Sequence, residues 1–267
     1  MSGAEKLQRS VMSAGRFRSW AATHAGAVRK RNEDGFVNRP DLGLWAVADG
    51  AGGHSDGAVA SRMIVEALDG VPAGLDGADL LAEVRTRVLG AHARLREQAG
   101  LLGQGAVIAS TVVVLLARDG HFACLWAGDS RAYLLRGGAM RQVTRDHSLV
   151  QELMDSGALD PEAALSHPHA NVITRAVGAD ADALELDKVT EKLLPGDRLL
   201  LCSDGLFKAL AEPDAAALLG SDEDAPAERL LLAALARRAQ DNVTAVTVEV
   251  LGAAPDAAEL TVQVRLH

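Results

Sequence analysis

The amino-acid sequence predicts an α+β fold, in which strands and helices occupy separate stretches of the chain. Three observations support this prediction: short apolar runs alternate with turn residues, two amphipathic stretches interrupt them, and further apolar runs return late in the chain. The 267 residues are 48% hydrophobic and 24% charged, which is typical of a folded globular protein. Because only 3% of the residues are aromatic, we expect aliphatic side chains to fill the core.

The first predicted strands cover residues 43–48, 111–116, 121–127 and 131–135. The links at Asp119-Gly120 and Gly137-Gly138 contain the residues that tight hairpin turns require. The pattern therefore predicts an antiparallel meander over residues 111–143. Since these runs are almost continuously apolar, we expect the strands to be buried on both faces.

Two helices are predicted between the early strands and the meander. Apolar residues at helical spacing line one face of each helix, from Val59 to Leu68 and from Leu80 to Leu95. Later in the chain, residues 198–202 and 243–250 are typical of strands, as are residues 184–189, and residues 228–239 are typical of a helix. We expect these helices to pack on the sheets.

No repeat, low-complexity tract or proline-rich linker divides the sequence, so we predict one domain over residues 16–251. In this prediction residues 1–15 form an N-terminal extension and residues 252–267 form a tail. The apolar run at residues 260–266 could add an edge strand. The loosest segment is residues 156–169, where Pro161 and Pro168 interrupt the periodic pattern.

The charge balance excludes one class of partner. Against 36 Asp and Glu there are 27 Lys and Arg, a formal net charge of −9, and the only basic triplet is Arg29-Lys30-Arg31. Nucleic acids are bound by clustered basic residues, so we expect no nucleic-acid partner.

No apolar run reaches the ~20 residues of a membrane span, and residues 1–15 lack a signal-peptide layout. We therefore expect a cytoplasmic protein with no membrane partner, and reduced core thiols at Cys124 and Cys202.

Acidic residues recur where the apolar strands end or begin. An isolated Asp-Gly pair is more often a turn than a functional site. If the carboxylates converge, however, their mutual repulsion favours a hard cation such as Mg²⁺ or Mn²⁺ between them. The lack of a matching Cys and His set disfavours zinc. The residues alone leave this convergence open; they are Glu33-Asp34, Asp49-Gly50, Asp129, Asp204-Gly205 and Asp241-Asn242.

Five motifs in a fixed order, within residues 16–250, resemble the metal-dependent protein phosphatases of the PP2C type, in particular the bacterial members. An ordered set of this kind is far more specific than a single glycine-rich loop. Residues 144–148 and 171–175 are similar to bacterial members as well. The motifs are Arg29-x-x-Asn32-Glu33-Asp34, Asp49-Gly50-x-Gly52-Gly53-His54, Gly128-Asp129-Ser130-Arg131, Ser203-Asp204-Gly205-Leu206 and Asp241-Asn242.

The resemblance implies a central β-sandwich of two antiparallel sheets flanked by α-helices, in four layers αββα. It also implies a centre of two Mn²⁺ or Mg²⁺ ions at one end of the sandwich. Asp49 would bridge both ions, the backbone carbonyl of Gly50 would bind one of them, and Asp204 and Asp241 would bind the other. Further ligands are implied at Glu33 and Asp34, directly or through water, and at Asp129 for a third, weaker ion.

By the same resemblance, two such ions would lower the pKa of a bridging water, and that water would attack the phosphate without a phosphoenzyme intermediate. Arg29 is the candidate phosphate ligand, because a guanidinium can donate two parallel hydrogen bonds to phosphate. Many eukaryotic relatives carry a histidine directly after the Asp-Gly pair as the proposed general acid, whereas this chain has Ala51. His54 is the candidate general acid here, and a helix-entry residue is the alternative. Histidines in or near the segment that resembles the family's mobile flap are expected to pack loops or contact substrate; they are His147, His167 and His169.

The resemblance thus implies a phosphoprotein phosphatase that hydrolyses phosphoserine and phosphothreonine and opposes a bacterial Ser/Thr kinase. The expected partners are phosphorylated proteins and that kinase, and we expect a monomer. One alternative is a catalytically silent binding module, which predicts missing metal ligands, although every principal acidic position is present. Another is a signalling switch that acts on anti-sigma-factor antagonists. The segment at residues 42–47 is also similar to phosphatases that reverse kinase activation of type VI secretion.

Overall fold

The fold is built from strands that are apolar on both sides. The computed structural model describes residues 7–51, 56–164, 167–179 and 183–252. Its strands, in chain order, are β1 (Gln8–Ala14), β2 (Phe17–His24), β3 (Asp34–Arg39), β4 (Leu44–Ala51), β5 (Ala109–Ser110), β6 (Val112–Arg118), β7 (His121–Ala127), β8 (Arg131–Arg136), β9 (Ala139–Gln142), β10 (Asp187–Lys192), β11 (Arg198–Cys202) and β12 (Val243–Val250). Its helices are α1 (Asp56–Asp69), α2 (Gly77–Leu102), α3 (Leu149–Asp155), α4 (Pro161–Ala164), α5 (Asp204–Ala209), α6 (Glu212–Gly220) and α7 (Pro226–Ala236).

The strands form two antiparallel sheets that pack face to face. Sheet I has the order β1-β2-β12-β11-β8-β9, and sheet II has the order β10-β7-β6-β4-β3, with β5 paired to the end of β4. Helices α1 and α2 pack on the outer face of sheet II, whereas α5, α6 and α7 pack on the outer face of sheet I. These layers confirm the predicted αββα sandwich.

Strand β4 shows why the apolar runs are continuous. Its Trp45 and Val47 lie between the two sheets, whereas Leu44, Ala46 and Ala48 pack toward α1 and α2. All five side chains are buried. A strand covered on both faces has no polar face to alternate with, so burial of both faces is confirmed.

The predicted meander over residues 111–143 is wrong at its centre. Strands β6 and β7 form an antiparallel hairpin in sheet II, and β8 and β9 form another in sheet I. Between the hairpins Gly128 has a φ of +114°, and a Cβ there would lie 2.6 Å from the side chain of Thr111. The chain therefore crosses from one sheet to the other after β7, instead of returning beside it.

Other elements lie close to their predicted positions. Strands β11 and β12 have the predicted bounds; α1 and α2 extend beyond the predicted helical stretches at both ends, and α7 begins and ends two to three residues earlier than predicted. The predicted strand at residues 184–189 instead starts at Asp187, because Leu184 and Leu186 pack into the core under α1 and α2. Strand β1 lies within the predicted N-terminal extension and pairs with β2 along its length. The predicted edge strand at residues 260–266 lies outside the described residues.

The two cysteines are free and fully buried, as predicted. Burial raises the pKa of the Cys202 thiol to about 12 and also raises the pKa of Cys124. Neither side chain is therefore a thiolate nucleophile near neutral pH. Within the described residues, no helix combines the length and the apolarity that crossing a bilayer would require.

Candidate metal centre

Acidic residues from both sheets lie at one end of the sandwich. Asp34 begins β3 and is the register partner of Asp49, near the end of β4. Asp204 follows β11 and Asp241 precedes β12. Because these two strands are antiparallel neighbours, both residues lie at the same end of the strands of sheet I. An open cleft of about 510 Å³, here called the acidic cleft, is lined by Arg29, Glu33, Asp49, Gly50, Asp204, Lys208 and Asp241, among others.

Asp34 is held beneath this cleft by hydroxyl groups from sheet I. Its Oδ2 accepts hydrogen bonds from Ser203 Oγ at 2.8 Å and from Thr244 Oγ1 at 2.6 Å. Burial raises the pKa of Asp34 to about 7, although the two hydroxyl donors act in the opposite direction. A carboxyl group from one sheet is thus fixed by donors from the other sheet, which links the two sheets at the site.

Asp49 is the point at which the acidic residues interact most strongly. Burial raises its pKa well above the usual range, and the charges of Asp34, Asp204, Asp129 and Asp241 raise it further, in that order. The structure therefore brings the predicted carboxylates within electrostatic reach of one another. Removing such a cluster from water is unfavourable unless protons or a cation neutralise it.

Asp129 lies beside the main cluster, at the crossing from β7 to β8. Its side chain is buried, and burial raises the pKa of Asp129 to about 7, with a further contribution from Asp204. Two hydroxyl groups connect this segment to β4: Thr111 Oγ1 accepts from the Asp49 backbone N–H at 3.2 Å and lies 2.7 Å from Ser130 Oγ. The side chains of Thr111 and Ser130 therefore set the position of Asp129 relative to Asp49.

Glu33 and the Gly50 carbonyl are brought together by close backbone packing. The Gly50 N–H donates to the Glu33 carbonyl at 3.2 Å. A Cβ on Gly57, at the start of α1, would lie 2.6 Å from the Gly50 oxygen and 2.8 Å from Glu33 Oε2. Burial raises the pKa of Glu33 above its ordinary value. The absence of a side chain at Gly57 leaves room for both oxygens at the rim of the cleft.

Two basic side chains engage the outer carboxylates. Arg29 Nη2 donates to Asp241 Oδ2 at 2.8 Å, and this hydrogen bond raises the pKa of the guanidinium. Lys208 pairs with Asp204 one helical turn away and donates to Asn171 Oδ1 at 2.6 Å. Burial alone would lower the pKa of Lys208, but the charge of Asp204 raises it above its ordinary value. Asp241 and Asp204 are therefore each already paired with a basic side chain.

The donor set fits a hard divalent cation. Asp34 Oδ1 and Asp129 Oδ1 are buried and have no hydrogen-bond partner among the described residues. Buried carboxylate oxygens without donors are costly unless they are protonated or bind a cation. In the described part of the chain, no group of three or more acidic, His or Cys side chains is already arranged to hold a metal ion. Asp204 and Asp241 are paired with Lys208 and Arg29 instead. Every oxygen donor that faces the cluster suits Mg²⁺ or Mn²⁺ better than zinc.

Several residues that shape the site were given no role from the sequence, although Asn242 and Ser203 stand within its motifs. Asn242 is buried, accepts from the Glu33 N–H at 2.8 Å, and donates to the carbonyls of Ala25 and Arg31 at 3.0 and 2.9 Å. It therefore fixes the segment that carries Arg29 and Glu33. Lys208 could have been found from its i,i+4 spacing to Asp204 on a short helix. Ser203 opens the motif at residues 203–206, but nothing local indicates its contact with Asp34, and Thr244 lies outside the motifs.

The histidines do not line the acidic cleft within the described residues. His147 Nδ1 accepts from the Gly128 N–H at 3.1 Å, and its ring stacks on Trp126 with centroids 6.1 Å apart. Burial lowers the pKa of His147, so it packs a loop as a neutral side chain. The candidate general acid His54 lies outside the described residues, and its neighbour Ala51 lines the cleft.

Comparisons with known proteins agree with this geometry. A family model described as Protein phosphatase 2C matches residues 23–241. The serine/threonine protein phosphatase PstP of Mycobacterium tuberculosis is 35% identical over 232 residues, which are 86% of this chain and 44% of PstP. The chain thus spans less than half the length of that relative. The serine/threonine phosphatase stp of Listeria innocua is 32% identical over 236 residues, covering 85% of this chain and 93% of stp.

Solved structures share both the fold and part of the sequence. One is described as PppA, a key regulatory component of T6SS in Pseudomonas aeruginosa; it is 42% identical, with a TM-score of 0.82, over 89% of this chain and 99% of PppA. Another is the catalytic domain of PstP in complex with two manganese ions. It is 34% identical, with a TM-score of 0.79, over 88% of this chain and 99% of that domain.

Proposed function

The chain belongs to the protein phosphatase 2C family, and on this premise we propose that it hydrolyses phosphoserine and phosphothreonine in proteins. The main support is the meeting of Asp34, Asp49, Asp204 and Asp241 from both sheets, with Arg29 beside them. Relatives named serine/threonine phosphatase align with this chain over most of its length. The function is therefore a phosphoric monoester hydrolase that acts on proteins.

Two divalent cations, Mn²⁺ or Mg²⁺, fit the donors of the acidic cleft. The related PstP domain was solved with two manganese ions. Asp49, Asp204, Asp241 and the Gly50 carbonyl would hold the two ions in this chain. Bound ions supply Lewis acidity, which lowers the pKa of a water and offsets the charge of the phosphoryl oxygens. Glu33 and Asp34 would support them directly or through water, and Asp129 would hold a third.

Arg29 binds the substrate phosphate in this proposal. Its side chain is 58% exposed at the rim of the cleft and makes one hydrogen bond, to Asp241, among the described residues. The remaining guanidinium N–H groups are available for two phosphate oxygens, which a planar guanidinium binds in parallel. The bond to Asp241 orients the side chain toward the cleft before substrate arrives.

Replacement of Asp49 by Asn tests the function. The change keeps the side-chain volume and removes the charge that Asp49 contributes, so we expect at least a 100-fold loss of kcat with p-nitrophenyl phosphate and with a phosphothreonine peptide. Excess chelator should abolish activity, and added Mn²⁺ should restore it. Glu97→Gln, an exposed change on α2, serves as the control with unchanged activity.

Full activity of the Asp49→Asn variant, or in excess chelator, would contradict the proposal. Calorimetry that detects no divalent-ion binding to the wild-type chain would instead favour the silent binding module. The first result would mean that the protein hydrolyses phosphate without Asp49 or metal ions. The second would mean that it binds no metal ion and is not an enzyme.

We further propose that the protein opposes a Ser/Thr kinase in the control of type VI secretion. The support is the 42% identity to PppA, described as a regulatory component of T6SS in Pseudomonas aeruginosa. The phosphoproteome of cells carrying the Asp49→Asn variant should show raised phosphorylation on secretion components. Accumulation confined to other proteins would assign the enzyme to a different pathway.

A further inference from the structure

A second cleft, of about 610 Å³, adjoins the acidic cleft at the end of α7. The two clefts share Arg29, Asn171, Lys208 and Asp241. Arg237 and Arg238 line the second cleft and not the first, and we call this second space the basic cleft. A substrate phosphate in the acidic cleft would therefore have a basic surface directly beside it.

The backbone at Arg238 adopts a conformation that usually belongs to glycine. The Arg238 N–H donates to Leu235 O at 2.8 Å, and the Ala239 N–H donates to Ala234 O at 3.1 Å. These are the two bonds of a Schellman motif, in which the residue after the helix cap is left-handed and is commonly glycine. Arg238 has a φ of +59°. The chain thus carries an arginine at a position where its conformation is unfavourable, and such positions are concentrated at functional sites.

Among the described residues, none pairs with the charge of Arg238. Arg237 Nη2 donates to Asp214 Oδ2 at 2.8 Å, so its charge is partly neutralised. The exposed side chain of Arg238 makes no hydrogen bond or ion pair within the described ranges. Asp241, the one acidic residue among those lining the basic cleft, is already paired with Arg29. The described lining therefore has an excess of positive charge, in a protein whose net charge is −9.

We propose that the basic cleft binds a second anionic group of the phosphoprotein substrate, a carboxylate or a phosphate on a residue near the one being dephosphorylated. This inference rests on the proposed function and names its substrate class: acidic or multiply phosphorylated segments. Arg238 is the specificity-determining residue. Arg29 and Lys208, which line both clefts, lie between the two anion positions.

Three phosphothreonine peptides of one parent sequence test the proposal: one with neutral flanking residues, one with aspartates, and one with a second phosphate. Wild-type kcat/KM should be about two- to fivefold higher for either anionic peptide than for the neutral one, as expected for an exposed charge pair. In Arg238→Gly, which suits the left-handed backbone and removes the charge, this ratio should fall to near one. Arg238→Lys should retain most of the preference.

The preference should also weaken at high ionic strength, because an exposed pair is screened. A higher ratio for the doubly phosphorylated peptide alone would identify phosphate as the ligand, and higher ratios for both peptides would identify any anion; both results support the cleft. Equal ratios in wild type and Arg238→Gly would overturn the proposal, as would a wild type without preference. Arg94→Gln on α2 removes one exposed positive charge elsewhere and should leave the ratio unchanged; an equal fall there would also overturn it.

Binding of the matching non-hydrolysable phosphonate peptides, followed by fluorescence anisotropy, separates this proposal from the proposed function. If the wild type hydrolyses neither peptide nor p-nitrophenyl phosphate, the proposed function fails. The ratio of the affinities for anionic and neutral phosphonates still decides the inference, and it should show the same dependence on Arg238.

Discussion

Asp34 is the residue on which the ionisation of the site depends most directly. One oxygen of its carboxylate is bound by Ser203 and Thr244, and the other is buried without a donor among the described residues. The two hydroxyl groups stabilise the ionised form, and burial stabilises the neutral form. Because metal ions bind the ionised form, those hydroxyls should control metal affinity without touching the metal.

The Ser203→Ala variant tests this control. Losing one donor should raise the pKa of Asp34 further, so Mn²⁺ affinity near pH 7 should fall by about tenfold and recover as the pH is raised. Calorimetry between about pH 6.5 and pH 9 measures this, with Ser156→Ala, a change to an exposed hydroxyl, as the control. A deficit of the same size at every pH would mean that Ser203 acts through geometry rather than through proton affinity.

The contrast between predicted and unpredicted site residues has a physical basis. Asp49, Asp204 and Asp241 stand near strand ends, and the first two precede a glycine, so their local sequence marks them. Ser203 and Thr244 reach Asp34 across sequence separations of 169 and 210 positions. The packing of the two sheets decides which hydroxyl group contacts which carboxylate, and a local sequence pattern does not predict that packing.

At the scale of elements, the start of α1 determines whether the Gly50 carbonyl is accessible. A Cβ at Gly57 would lie 2.6 Å from that carbonyl oxygen and 2.8 Å from Glu33 Oε2. The carbonyl belongs to backbone and cannot move as a side chain does. Helix α1 would therefore have to shift away from the end of β4.

We expect Gly57→Ala to weaken Mn²⁺ binding by at least tenfold and to reduce stability by about 1–3 kcal/mol, because the clash strains backbone at the cleft. Urea unfolding and calorimetry would measure both effects. Gly90→Ala on α2 is the matched control, since nothing lies within 4 Å of its Cβ position. There the change should stabilise the helix by about 0.5–1 kcal/mol. Wild-type metal affinity in Gly57→Ala would show that the Gly50 carbonyl is not a ligand.

Element prediction was most accurate for strands covered on both faces. β11 has a continuous apolar run after Arg198, and β12 alternates apolar residues with Thr and Glu, so the bounds of both strands follow from the sequence. The crossing after β7 was not predicted, because a glycine-containing link can close a hairpin or lead to another sheet. In the structure Gly128, at that crossing, packs against Thr111 so closely that a Cβ would lie 2.6 Å from its side chain.

For the whole molecule, the raised pKa values of Asp34 and Asp129, both about 7, predict how stability depends on pH. In the unfolded chain an aspartate titrates near about pH 4. Between about pH 4 and pH 7 the folded state keeps its protons while the unfolded state loses them, so metal-free stability should fall as the pH rises. The slope is about 1.4 kcal/mol per pH unit for each such carboxyl.

Urea unfolding of metal-free protein at about pH 5, 6 and 7.5 measures this trend. The Asp34→Asn variant should lose its share of the slope, which separates Asp34 from the other titrating groups. Saturating Mn²⁺ should stabilise the wild type more at pH 7.5 than at pH 5, because the ion replaces the protons. An identical slope in wild type and Asp34→Asn would show that Asp34 is ionised without metal.

The place of β12 within sheet I has a consequence for how the protein is made. β12 is the last of the described strands to be synthesised, yet it lies between β2 and β11, and Arg18 and Glu249 on adjacent strands are 231 positions apart. On the ribosome β2 must wait for its neighbour until nearly the whole described chain has emerged. Asp241 and Asn242 arrive with that strand. A nascent chain therefore cannot assemble the acidic cleft around its early residues, and a partly translated copy carries an incomplete cleft.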